Sequence, residues 1–191
     1  MNPSTGAALF AIALVAVVVG FIVVSTYNAV VALRNRIRKA WANIDVALKQ
    51  RHDQLPNLVE AVRGVMAFEQ GVLVEVTRAR AAYTAADPIP RQAAVSDQTS
   101  AAVRSLFAVV ERYPEIKSAA NVAALQEEVA RLENVIADRR ELYNDQVFRY
   151  NTRIAQLPAN LLAGAFGWTP EPFFAADEIE RERPAVDISP A

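Results

Sequence analysis

Residues 7–24 read AALFAIALVAVVVGFIVV, eighteen consecutive residues without a charge. The chain runs on through Tyr27-Asn28-Ala29-Val30 and Leu33-Arg34-Asn35 into a long amphipathic stretch ending near Met66. The uncharged run reaches the length a spanning helix needs, roughly twenty residues. A secretory signal has a basic segment ahead of a shorter apolar run, whereas Met1–Gly6 contains no Lys or Arg. The run therefore reads as a transmembrane anchor, residues 1–26, leading almost without a break into the first helix of a bundle. Arg34, Arg36, Arg38 and Lys39 follow on its C-terminal side. Positive charges beside a span stay cytoplasmic, which predicts an N-terminus outside and a bundle in the cytoplasm. The same four residues could face anionic headgroups, at about 1 kcal/mol per charge near the surface.

Outward from this stretch, the apolar residues Val30, Leu33, Ile37, Trp41, Ile44, Leu48, Leu55, Leu58, Val62 and Val65 fall three or four apart, one helical stripe. Arg51 or His52 fills the gap between Leu48 and Leu55. Pro56 lies inside the pattern and predicts a kink, or a break near Gln54. A second helix is predicted from about Glu69 to Ala86, with Val72, Val76, Ala79 and Tyr83 on one face. Ala85–Pro90 reads as a loop by its two prolines. A third helix is predicted from about Ser96 to Glu111, with Val103, Leu106, Phe107 and Val110 inward. The fourth carries Val122, Leu125, Val129, Leu132, Ile136, Tyr143, Val147, Tyr150, Ile154 and Leu157, a coiled-coil-like seam. The sum is an all-α chain: an anchor followed by an antiparallel up-down-up-down bundle of four long helices over residues 27–160. An apolar, aromatic segment (161–176) and a charged, proline-bearing tail (177–191), expected to be disordered, complete it. The middle helices are shorter than the outer two. That leaves a two-helix stalk near the membrane and surplus apolar stripe, which suggests a homo-oligomer.

Composition narrows the function. The 191 residues include one His and no Cys, with a net charge of −1. Thiol chemistry and thiolate metal sites are excluded, and there is no global basic surface for nucleic acid. A di-metal bundle site needs Glu-x-x-His pairs, and none occurs. No phosphate-binding Gly-rich loop is present, so the chain carries no positive sign of catalysis and calls for no cofactor. The noteworthy polar residues are Asn35, Asn43, Asp45 and Asn57, poor helix-interior choices, together with Arg139, which sits in the fourth-helix seam. Asn35 and Asn43 are read as register-setting interhelix hydrogen bonders, with a ligand or partner site as the alternative. A buried Arg139 would need an acid, Asp45 or Glu60. The pairs Tyr143-Asn144 and Tyr150-Asn151 share a face and are read as packing, with hydroxyl and amide reaching polar groups. Phe166, Trp168, Phe173 and Phe174 have two open readings, a lid on the bundle end or aromatics at the membrane interface.

Tyr27-Asn28, Leu33-Arg34-Asn35, Ala40-Trp41-Ala42-Asn43-Ile44-Asp45-Val46, Leu48-Lys49-Gln50-Arg51-His52-Asp53 and Leu55-Pro56-Asn57-Leu58-Val59-Glu60 together resemble the LemA family signature. Ala79-Arg80, Tyr113-Pro114-Glu115-Ile116-Lys117, Leu125-Gln126-Glu127-Glu128, Tyr143-Asn144, Tyr150-Asn151 and Phe166-Gly167 extend the resemblance over about residues 22–176. It implies a bacterial, single-pass inner-membrane protein with a helical bundle and no assigned reaction. One branch of that family takes part in building magnetosome membranes. Others accompany HtpX-like membrane proteases or TPM-domain membrane proteins, so these and the lipid bilayer are the partners the resemblance implies. One departure is Phe68-Glu69 where relatives often have His-Glu; a metal site using that His is absent here. The expected function is a scaffold or adaptor, self-associating or organising membrane proteins or membrane structure. The alternative is a membrane-anchored sensor that holds a small ligand, for which a pocket lined by Asn43, Asp45 and Tyr143 would be the sign.

Overall fold

The first helix, α1, runs from Pro3 to Arg63 without interruption in the computed structural model, which describes residues 3–63, 69–117 and 119–175. Among the described residues the other elements are α2 (Gln70–Ala81), α3 (Ile89–Val110), the short α4 (Pro114–Lys117), α5 (Ala120–Ala155) and α6 (Ala159–Phe166), with no strand. The architecture is all-helical, as the periodicities require. Val65, Phe68 and the tail 177–191 lie outside the described residues.

Three boundaries differ from the sequence expectation. Pro56 neither divides α1 at Gln54 nor ends it. α2 stops at Ala81, and a turn follows in which Asp87 N–H donates to the Thr84 carbonyl. The buried Gln92 amide staples that turn by donating to the carbonyls of Ala85 and Asp87. α3 starts at Ile89, seven residues before Ser96, with Pro90 inside its first turn. The first turn has no intrahelical partner for its N–H groups, so proline costs nothing there. At the other end of the chain, α5 stops before the cis Leu157–Pro158 bond. Gly167 closes α6 in the left-handed conformation (φ 65°) that glycine adopts freely, and Trp168 N–H returns to the Ala163 carbonyl.

The chain divides into two compact units. One holds the described residues up to Ala42 together with Glu141–Pro172. In it the N-terminal part of α1 pairs antiparallel with the C-terminal part of α5: Trp41 meets Tyr143 edge-on, and Arg34 lies over the Tyr150 ring. From Leu9 to Val24 every large apolar side chain is exposed except the half-buried Val23. A water-facing helix would hide one stripe; this segment shows apolar atoms on all sides, and it is long and apolar enough to cross a membrane.

The other unit holds Asn43–Arg140 and the described residues from Phe173. Here four helices share one core: Leu55, Leu58 and Val62 from α1, Leu73 and Val76 from α2, Val103, Leu106 and Val110 from α3, Val122 and Val129 from α5. The α1–α2 pair is antiparallel, since Asp45 meets Tyr83 while His52 meets Arg80.

Candidate functional site

In the four-helix unit one polar cluster is built on α1. Pro56 has no N–H, so the carbonyl of His52, four residues back, loses its helical donor. Arg80 of α2 supplies one: its Nε donates to that oxygen at 3.1 Å. This contact replaces the donor that the proline removes. Beside it, burial and then the Arg80 charge lower the pKa of His52 from its ordinary value of 6.5, against the opposing pull of Asp53. The ring packs on Tyr83 at 5.5 Å. Tyr83 donates its hydroxyl proton to Asp45, and burial together with that carboxylate pushes its pKa up to about 12.

Next to His52 in the sequence, Arg51 is buried among three helices. Its guanidinium donates to Glu133 of α5 (2.8 Å) and to the hydroxyls of Ser100 and Ser96 of α3 (both 3.0 Å), while Ser100 donates to the second Glu133 oxygen. The sequence offers only a faint signal for this cluster. Arg51 occupies an apolar slot of the α1 stripe, and Ser96 and Ser100 stand four apart on α3. Arg139, the arginine that the seam pattern singles out, is half-buried. It donates to the Asn43 backbone carbonyl rather than to Asp45 or Glu60. Asp45 is engaged by Lys49 and Tyr83, and Glu60 by Arg63.

In the unit that carries the N-terminal part of α1, the Tyr-Asn pairs grip the chain segment after α6. Asn151 Nδ2 donates to the Glu171 carbonyl and its Oδ1 accepts from the Glu171 N–H, both at 2.9 Å. Tyr150 donates to the Thr169 carbonyl and Tyr143 to the Pro172 carbonyl. Arg34 adds an ion pair to Glu171 at 3.5 Å. Burial, and then the Glu171 charge, push the Tyr143 pKa up to about 12. Burial also raises Tyr150. Asn144 is half-buried and engaged as well.

The remaining sequence-selected residues fall as follows. Asn35, Asn43 and Asn57 are exposed, and Asn57 bonds Gln54 within α1 rather than another helix. Arg36, Arg38 and Lys39 are exposed while Arg34 is half-buried. Of the four aromatics, Trp168 and Phe174 are buried, Phe166 and Phe173 exposed. Trp168 stacks on Phe166, and both touch Tyr27. Phe174 lies under the Arg140 guanidinium, which also donates to its carbonyl and pairs with Asp97. Asn43, Asp45 and Tyr143 each have partners of their own. Two open grooves flank α2, about 220 Å³ against Leu55, Pro56 and Val76 and about 520 Å³ against Leu73, Val74 and Arg78.

Comparison with known proteins places the chain. It is 26% identical to the magnetosome proteins MamQ 1 and MamQ 2 of Paramagnetospirillum magneticum, over 84% of this chain and 66% of each relative. It is 24% identical to the magnetosome protein MamQ of Magnetospirillum gryphiswaldense, with the same coverage. The chain thus spans just under two-thirds of the length of these relatives. The LemA family model matches residues 40–188, which include the Arg51 cluster, the Arg80 contact and the Tyr-Asn grip. The chain belongs to the LemA family.

Proposed function

We propose that this protein is a non-enzymatic scaffold or adaptor held in the bacterial inner membrane by α1, with its four-helix unit in the cytoplasm. The observation that carries the reading is the exposed, all-round apolar surface from Leu9 to Val24 on the same uninterrupted helix that supplies Leu55, Leu58 and Val62 to the bundle core. Such a surface is favourable in hydrocarbon and costly in water, at about 25 cal/mol per Å². Orientation follows from the basic residues Arg34, Arg36, Arg38 and Lys39, all after the span. The name shared by the relatives, magnetosome proteins, supports work on a membrane compartment as the broader role. The exposed Leu142 and Phe148 on α5 offer apolar contacts to a second copy or to another membrane protein.

The test is electron cryomicroscopy of the full-length protein reconstituted into liposomes containing anionic lipid. Ordered arrays, rings or reshaped vesicles support a self-associating scaffold. Scattered single particles on undisturbed vesicles would remove the self-assembling form.

A further inference from the structure

From Ile154 to Pro170 the chain has no charged residue, although about a fifth of the whole sequence is charged. This stretch contains α6 and its flanks. Three of its large apolar side chains face outward: Leu157 (67% exposed), Leu161 (74%) and Phe166 (43%). The structure also fixes where the stretch lies. Phe166 packs on Tyr27 at 5.1 Å, and Tyr27 stands three residues beyond Val24, the last exposed apolar residue of the first segment of α1. Trp168, buried behind Phe166 at 5.2 Å, backs the contact.

We infer that α6 is a second membrane contact, a short helix lying in the interface of the leaflet from which α1 emerges. Its occupant is lipid, at the boundary of headgroups and acyl chains. Three observations select lipid over water or another protein. The exposed side chains are apolar and uncharged, as a surface sinking about 5–10 Å into that boundary requires. An aromatic cluster of Tyr27, Phe166 and Trp168 stands just past the end of the exposed apolar segment of α1, and such rings collect at the ends of membrane spans. The surface also continues the exposed apolar surface of α1 across the Tyr27–Phe166 contact. The inference rests on the anchor reading of α1. It adds that this unit touches the bilayer at two places, through α1 and through α6.

The chain lacks cysteine, so single fluorophores can be placed without background. Leu161→Cys, Leu157→Cys, Val17→Cys and Val46→Cys variants of the full-length protein, each labelled with an environment-sensitive NBD group, would be reconstituted into phosphatidylcholine–phosphatidylglycerol vesicles carrying brominated acyl chains. Labels at 161 and 157 are expected to shift to the blue and to lose most of their emission to bromines placed shallow on the chain. The label at 17 should be quenched best by deep bromines. The label at 46, exposed on the four-helix unit, should be unaffected. Red-shifted, unquenched labels at 161 and 157 beside a quenched label at 17 would overturn the role of α6 and leave the anchor standing. A blue shift at 161 that ignores bromolipid would assign the face to protein and overturn the inference too. An unquenched label at 17 would remove the anchor reading on which it rests.

Discussion

Arg80 Nε sits 3.1 Å from the carbonyl oxygen of His52, the oxygen that Pro56 leaves without its helical donor. An arginine of α2 thereby completes a hydrogen-bond ladder in α1, and sequence positions 28 apart act as one feature. Arg80→Met should cost about 1.5–3 kcal/mol, the range for hydrogen bonds to a charged donor. Pro56→Ala restores the backbone N–H, so in that background the same Arg80→Met change should cost little. A double-mutant cycle by thermal unfolding of the detergent-solubilised protein measures the coupling, and additive effects would contradict the compensation.

Arg51 is buried and Glu133 is partly exposed, which makes their pair asymmetric. Glu133→Ala strands a buried guanidinium and should destabilise by about 3 kcal/mol. Arg51→Met replaces the charge with an apolar chain of similar length and leaves Glu133 able to hydrate. It should fall within about 1 kcal/mol of the parent, or above it. Chemical denaturation of both variants checks the order.

The tyrosines set an alkaline limit. Burial, then the neighbouring carboxylates, raise Tyr83 and Tyr143 to about 12 in the folded protein, against 10 when free. Folding therefore favours the neutral phenol. That stability is complete below pH 10 and is lost as pH rises from 10 through about 12. Tyr143→Phe should flatten this part of the stability–pH curve, measured by unfolding at stepped pH. His52 acts at the opposite end. Its lowered pKa favours the neutral ring in the folded state, so its contribution is present above pH 6.5 and fades as pH falls further.

How much of this was legible in the sequence depends on the residue. The stripes on α1 and α5 were readable because burial repeats at helical spacing: Val30, Ile37, Ile44, Leu48, Leu55, Leu58 and Val62, and Val122, Val129, Leu132, Ile136, Tyr143, Val147, Tyr150 and Ile154, are all buried. Two proline expectations gave way, the loop at Pro90 and the break that was one alternative at Pro56, because the effect of proline depends on context. Pro90 fits a first helical turn, and Pro56 is compensated by a side chain from another helix. Periodicity locates an arginine on a stripe but does not say which stripe position is enclosed, so Arg139 drew attention while Arg51 is the buried one. The partner of Asn151 was invisible for a different reason. It is backbone, the N–H and carbonyl of Glu171, and no residue type marks it.

That grip can be tested directly. Asn151→Asp keeps the acceptor for the Glu171 N–H but sets a carboxylate oxygen against the Glu171 carbonyl. A loss of about 1 kcal/mol or more follows. Hydrogen exchange at the Glu171 amide should quicken by roughly five-fold or more, as the free-energy cost dictates. Unchanged protection would mean that Asn151 does not hold the segment.

On the proposed reading one continuous helix changes solvent partway along, lipid to Val24 and water with a bundle core beyond Val30. Nitroxide scanning of single-cysteine variants along α1 in liposomes, with oxygen and a water-soluble nickel chelate as relaxation agents, distinguishes the two environments. Oxygen access should be high and nickel access low at every position from Leu9 to Val24, without periodicity. Beyond Val30 nickel access should oscillate with the 3.6-residue helical period. Nickel access repeating at that period inside Leu9–Val24 would show a helix lying against protein and water, and would overturn the membrane anchor.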